Sequence, residues 1–331
     1  MLYRKIRSYI DAHLRSNEDK ILLIEGARQI GKSYIIRDVG TELYDNYVEI
    51  NFVEDDAGDK IFRNVRTTEE FYLNLSMVAG FKLDKYENTL VFIDEIQHYP
   101  QFLTMLKFLR QEHRYRFICS GSLLGIALKK TVSVPVGSII PKKMYQLDFE
   151  EFLIANDFGE DAIVHLRKSF EQKQPLAPEV HDKVLSLFKR YLLVGGMPDA
   201  VNEYLNSHNI VKVREAQESI RELYGVDASR YEEDAAKKLY IRRIYDMIPS
   251  QMENKKKRIV AKDILDRKGD RFSNYMEEFE YLINSGITIA SNAISNPKYP
   301  LAESQQKNLL KLYMNDVGML SSQLYHYNIQ P

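Results

Sequence analysis

Eight consecutive residues, Gly26, Ala27, Arg28, Gln29, Ile30, Gly31, Lys32 and Ser33, separate two glycines by four positions and follow the second with a lysine and a hydroxyl. This is G-x-x-x-x-G-K-[ST] at every specified position. The chemistry it fits is capture of a triphosphate. Glycines let the backbone wrap tightly, so that its N–H groups point inward at phosphate oxygens, and the positive end of a following helix adds a favourable field. Lys32 neutralises the β and γ phosphates in this reading, and Ser33 supplies a hydroxyl to a bound magnesium ion. A strand-to-helix turn with a solvated lysine is the plain alternative.

A second pattern, "TLVFIDEIQ", sets Asp94 and Glu95 directly after a run of apolar strand residues. Both carboxylates then sit at the C-terminal end of a central strand, where open parallel sheets bind ligands. Two acids there are costly without a cation or water to hold. Asp94 suits the magnesium ion, which it shares with Ser33, and Glu95 suits an attacking water that it orients and polarises. In "RFICSGSLLG", Ser120 ends another apolar strand and is placed to hydrogen-bond that water or the γ-phosphate, with Ser122 as the alternative and a common turn hydroxyl as the plain reading. The catalytic set is Lys32, Asp94, Glu95 and Ser120.

Positioning these groups requires a sheet. Ile6, Ile10 and Leu14 recur at helical spacing and lead into the strand "KILLIEG". "YVEINF" alternates, "TLVFIDEI" and "RYRFICSGS" are apolar strands, "GSIIPKKMYQLD" is another strand or edge, and "TTEEFYLNLSMVAG" and "QFLTMLKFLRQE" are helical. Five strands interleaved with helices predict an α/β fold with a parallel sheet covered on both faces, to about residue 150. From "FEEFLIANDF" onward helices dominate, with one long helical stretch expected from about Lys212 to Gln251. The cluster "ENKKKR" marks a surface boundary, and the following segment reads as helix, turn at Gly269, longer helix ending at Gly286, then strand. That is the order of a winged helix-turn-helix.

Composition bounds the partners. The chain has 331 residues, 44% apolar and 28% charged, with a formal net charge of -1 that gives no global attraction to nucleic acid or anionic membrane. Cys119 is the only cysteine, which excludes an internal disulfide and fits a reducing, cytoplasmic compartment. No apolar run reaches the ~18 residues a membrane span needs, so no membrane partner is expected. The seven histidines offer no pair at metal-ligand spacing, leaving magnesium as the expected metal.

The motifs "GARQIGKS", "LVFIDEIQ", "ICSGS", "VPVGSIIPKKMYQLDFEEFL", "YLLVGGMPDAV" and "LLKLYMNDVGML" span almost the whole chain. On them the sequence resembles prokaryotic AAA-type ATPases with an N-terminal P-loop domain and a C-terminal domain of unknown function. The resemblance implies ATP and Mg2+ as cofactors, ATP hydrolysis, a helical lid, and a winged-helix module before an endonuclease-like sheet. The expected division is a P-loop domain over 1–150, a helical lid over 151–252, and a winged-helix module with the start of a further sheet over 253–331. Relatives often carry Arg after the glycine of the segment matching "PVGS"; here Ser138 stands there, and Arg110, Arg114 and Arg116 are candidates for an arginine finger by location alone. The given sequence ends at Pro331, before any nuclease residues that relatives carry. Tyr3, Arg4 and Arg7 fall where relatives often contact adenine, with a solvated basic helix face as the alternative.

The leading expectation is an AAA-type ATPase whose nucleotide state positions the lid and the C-terminal module. Two rivals remain: a nucleotide-gated DNA-binding regulator, and a P-loop kinase acting on a small molecule. For DNA speak Lys255, Lys256, Lys257, Arg258, Lys262, Arg267, Lys268 and Arg271; against it, Glu277, Glu278 and Glu280 lie on the helix that would enter the groove, while Met276, Phe279 and Ile283 fit a core stripe. A protein partner and a homo-oligomer stay open.

Overall fold

Leu22, Leu23 and Ile24 have no exposed surface, as expected of a strand sandwiched between two layers of helices. This strand, β1 (Ile21–Glu25), follows helix α1 (Lys5–Arg15) and precedes α2 (Lys32–Leu43). The structure is a computed structural model; it describes residues 2–52, 61–83, 88–122, 137–231, 234–253, 262–265 and 271–325. After α2 come β2 (Asn46–Asn51), α3 (Thr68–Ala79), β3 (Thr89–Asp94), α4 (Pro100–Glu112), β4 (Arg116–Gly121) and β5 (Ile139–Lys143). The five strands form one sheet in the order β2-β3-β4-β1-β5. Every pairing is parallel, so the predicted α/β sheet is the observed one.

Burial along each strand follows its place in that order. All six residues of β3 are buried, whereas β2 at one edge alternates and β5 at the other is mostly wet. One sheet face carries Leu23, Ile50, Val91, Ile93 and Cys119 into a core filled from α3 and α4 by Phe71, Leu75, Phe102 and Leu106. Rings of Phe52, Phe62, Phe71 and Phe102 meet there edge-on, tilted or stacked. Helix α2 packs against β2, β3 and β4. Parallel strands all end on one edge, and β4 lies between β1 and β3. The turn after β1, the acids ending β3 and the serines ending β4 are therefore neighbours by topology.

The chain divides into two compact units, Arg4–Tyr145 and Met1–Tyr3 with Gln146–Pro331. The second begins with α5 (Phe149–Ala155), whose N-cap Asp148 forms a reciprocal capping box with Glu151. Then follow α6 (Glu160–Glu171), α7 (Pro178–Val194), α8 (Pro198–Ser207), α9 (Ile210–Tyr231) and α10 (Ala235–Glu253). The helical stretch expected from about Lys212 to Gln251 consists of α9 and α10. A short helix α11 (Lys262–Leu265), a 3-10 turn (Phe272–Tyr275), α12 (Met276–Asn284), a hairpin of β6 (Thr288–Ile294) and β7 (Gln305–Met314), and α13 (Val317–Leu324) complete it. The turn at Gly269 and the basic cluster 254–258 lie outside the described residues, as do Arg267 and Lys268.

The core stripe of α12 differs from the expected one. Phe279 and Leu282 are buried together with Glu278 and Tyr281, while Met276 is exposed and Ile283 only half-buried. Tyr275, at the end of the 3-10 turn, takes the place expected for Met276, which rotates the apolar face. The "GGMP" turn stops α7 and starts α8 with Pro198 in the first turn. It is also a packing site. A Cβ on Gly196 would lie 1.9 Å from the Leu147 carbonyl oxygen. Asp316, the N-cap of α13, accepts from Gly196 N–H at 2.7 Å and from Met319 N–H at 3.0 Å. Among the described residues no helix is long and apolar enough to cross a membrane.

Candidate nucleotide site

The loop between β1 and α2 takes its shape from positions that only special residues hold. Gly31 has φ 89°, in the left-handed region, and caps α2. A Cβ on Gly26 would lie 2.3 Å from the Met144 carbonyl oxygen, so only glycine lets the loop leave β1 there. Lys32 is 5% exposed. Its ammonium donates to the carbonyls of Gly26, 3.0 Å, and Ala27, 2.8 Å, bending back over its own loop. A buried ammonium must be matched by acceptors, and here the loop supplies them.

The two motifs meet. Ser33 Oγ donates to Asp94 Oδ2 at 2.6 Å, joining the end of the glycine loop to the end of β3. Asn51 Nδ2, ending β2, reaches the same oxygen at 3.4 Å. Ser120 Oγ and the Glu95 backbone N–H both donate to Asp94 Oδ1, the latter at 3.0 Å. Ser120 thus sits on Asp94, and it is Ser122 that donates to Glu95 Oε2, at 3.0 Å. Gln97 Nε2 donates to that oxygen too and to Ser122 Oγ at 3.1 Å. Arg28 Nε lies 4.0 Å from Glu95 Oε1.

The paired acids differ electrostatically. Burial pushes the Asp94 carboxyl above the usual carboxylate range, helped by the Glu95 charge and opposed by donors from Ser120 and Ser33 and by Lys32. At Glu95 burial pushes the same way, but Lys32 and Arg28, with donors from Gln97 and Ser122, outweigh it and hold the carboxyl below that range. Glu95 itself has φ 51° and ψ 44°, left-handed for a residue with a side chain. Such backbone is retained where surrounding structure over-determines it, and it turns the carboxylate away from the line of β3.

The arginines named from sequence lie elsewhere. Arg110 pairs with Asp19 at 2.8 Å and donates to the Gly137 carbonyl and Ser138 Oγ. Arg116 donates to the Glu18 carbonyl at 2.6 Å. The Arg114 guanidinium lies over the Tyr72 ring, 4.6 Å from its centroid. All three are near the N-terminal ends of β4 or β5, at the sheet edge opposite the acids. Arg7 pairs with Asp38 and Glu42 on α2. Arg4 is buried, so the solvated-face alternative does not describe it; its guanidinium donates to the Ile30 and Tyr145 carbonyls. Sequence reasoning missed Asn51 and Gln97. A polar residue ending a strand next to β3, and an amide two positions after Glu95, were the signals available.

Residues 18–153 match the family model described as AAA domain. A second model, a domain of unknown function (DUF8612), matches residues 185–326. Among solved structures, the Walker-type ATPase PABY2304 of Pyrococcus abyssi superposes with a TM-score of 0.56 at 14% identity, over 98% of this chain and 96% of that one. That likeness, at such identity, is one of fold. The S. cerevisiae Hsp104–ADP complex (TM-score 0.38, 15% identity, 83% of this chain and 38% of that one) and C. elegans PCH-2 (0.38, 14%, 63% and 65%) are too distant to carry an argument. No curated protein matches the sequence. The segment that matches the AAA model carries the complete glycine loop, and the helical region after it falls in the second match.

Proposed function

We propose that the AAA domain binds ATP with magnesium and hydrolyses it to ADP and phosphate. The observation that carries this is the 2.6 Å bond between Ser33 Oγ and Asp94 Oδ2, which brings the glycine loop and the strand-end acid to one place. The residues fit the cofactors: an ammonium bent over a curled backbone suits phosphate, and a hydroxyl beside a carboxylate is a hard oxygen pair for Mg2+. When bound, magnesium neutralises charge on the β and γ phosphates.

Each residue then has a task. Lys32 leaves its two carbonyl partners to meet phosphate oxygens. Ser33 and Asp94 hold the metal, with Ser120, Asn51 and the Glu95 N–H fixing the Asp94 carboxylate. Glu95, kept ionised by Lys32 and Arg28, accepts a hydrogen bond from the attacking water and orients it. Gly26, Ala27, Arg28, Gln29, Ile30 and Gly31 supply the backbone that wraps the phosphates. The movement of helices 151–252 and of a winged-helix module over 253–331 with nucleotide state is part of the proposal on the resemblance alone, as is a homo-oligomer.

Phosphate release by the full chain, followed with magnesium and ATP, tests the reading. Lys32→Ala should weaken ATP binding at least ~100-fold, and Glu95→Gln should bind ATP normally while losing roughly 10²- to 10⁴-fold in turnover. A parent chain that releases no phosphate, or Glu95→Gln hydrolysing at the parent rate, overturns the assignment.

A further inference from the structure

The glycine loop is held from outside its own motif. Arg4 is the N-cap residue of α1, 6% exposed. Its Nη1 donates to the Ile30 carbonyl at 2.8 Å and its Nη2 to the Tyr145 carbonyl. The helix that carries it is fastened to α2, the helix the loop opens into, because Arg7 Nε bonds Asp38 at 2.8 Å and Arg7 also pairs with Glu42. The Tyr145 acceptor is equally well placed: Met144 N–H donates to the Glu25 carbonyl at 2.7 Å, fastening that segment beside the end of β1.

We propose that Arg4 is a positioning residue of the phosphate cradle, turning the Ile30–Gly31 peptide so that the Gly31 N–H faces the β-phosphate. This rests on the nucleotide-binding reading above. The reasoning is geometric. The Ile30–Gly31 peptide is trans, and in a planar trans peptide the C=O and N–H point in opposite directions. An anchor on the Ile30 oxygen behind the loop therefore aims the Gly31 N–H to the other side, the side on which a P-loop meets phosphate. Gly31, at φ 89°, is free to rotate this peptide, so its motif alone does not set the direction. A planar guanidinium can serve two carbonyls at once with little further loss of side-chain freedom, whereas an ammonium is a compact point charge without that fork. Burying the arginine costs free energy that charge-assisted bonds such as these offset.

AMP lacks the β-phosphate, which makes it the control. Affinities for ADP and AMP are measured on the full chain by competition against a fluorescent ADP, for the parent, Arg4→Gln and Arg4→Lys. The ADP-over-AMP preference should fall about tenfold in Arg4→Gln and by less in Arg4→Lys. Loosening of the domain as a whole would weaken both ligands alike and leave the ratio where it was. An unchanged ratio in folded variants overturns the proposal, as does loss of cooperative melting in both, which would assign Arg4 to the fold alone. A parent chain that binds neither ADP nor ATP sinks the nucleotide reading first, before any variant is compared.

Discussion

Asp94 and Glu95 are adjacent in the chain and burial pushes both carboxyls up, yet at Glu95 alone Lys32 and Arg28, with donors from Gln97 and Ser122, outweigh it, because β3 ends between them. Asp94 still belongs to the strand and is 2% exposed, while the left-handed backbone of Glu95 swings its carboxylate toward Lys32, Arg28, Gln97 and Ser122. Such a pair suits two tasks, one acid fixed by four donors and one kept charged at a loop. Ser120 reaches Asp94 from the neighbouring strand and, on the proposed reading, would orient a metal ligand. Ser120→Ala should therefore raise the magnesium concentration for half-maximal turnover by roughly tenfold, and leave metal-free ADP binding unchanged. A magnesium titration of phosphate release checks this. Sequence alone identified the carboxylates and both serines, since a hydroxyl after an apolar strand is visible. Which serine met which acid was not visible, because Ser120 and Ser122, two positions apart, would share one face of an extended strand, and only the bend of the chain past Gly121 separates them.

Helix ends carry the next set of expectations. His13, near the C-terminus of α1, is buried with Nε2 on the Lys20 carbonyl at 3.1 Å. Burial, with the neighbouring Arg116, holds it below the usual histidine range. The unfolded chain then binds a proton on this residue from about pH 6.5 downward while the folded chain does not, so the stability it lends is present above that pH and is lost as pH falls. Urea unfolding at pH 7.5 and 5.5 should show the gap between parent and His13→Gln shrinking at the lower pH. In the second unit, Gly196→Ala would drive a methyl into the backbone of Leu147, which cannot swing aside as a side chain would. A loss of roughly 1–3 kcal/mol in urea unfolding is expected. The "GGMP" and "NDVGML" segments looked like two separate signatures in the sequence; Asp316 joins them by accepting from Gly196, a pairing between residues 120 positions apart that periodicity cannot show.

For the molecule as a whole, the proposed nucleotide site falls within one of two compact units, Arg4–Tyr145. ADP at 100 times its dissociation constant should add about 2.7 kcal/mol to the opening free energy of amides in β1, β3 and β4, read by hydrogen exchange. Unchanged protection there would place nucleotide elsewhere or nowhere. Much of this architecture was written in local pattern: apolar runs long enough for buried strands, glycines and a lysine at fixed spacing, and charged helices after residue 150. Those features depend on neighbours within a few positions, so the chain states them outright. Tertiary structure alone decided that β4 lies between β1 and β3, that Arg4 holds the Ile30 carbonyl, and that Gln97 and Ser122 share Glu95. It also decided that Tyr275 replaces Met276 on the buried side of α12. These follow from strand order and from how each helix is rotated against its partners, which are settled by packing the whole core and leave no periodic mark in the sequence.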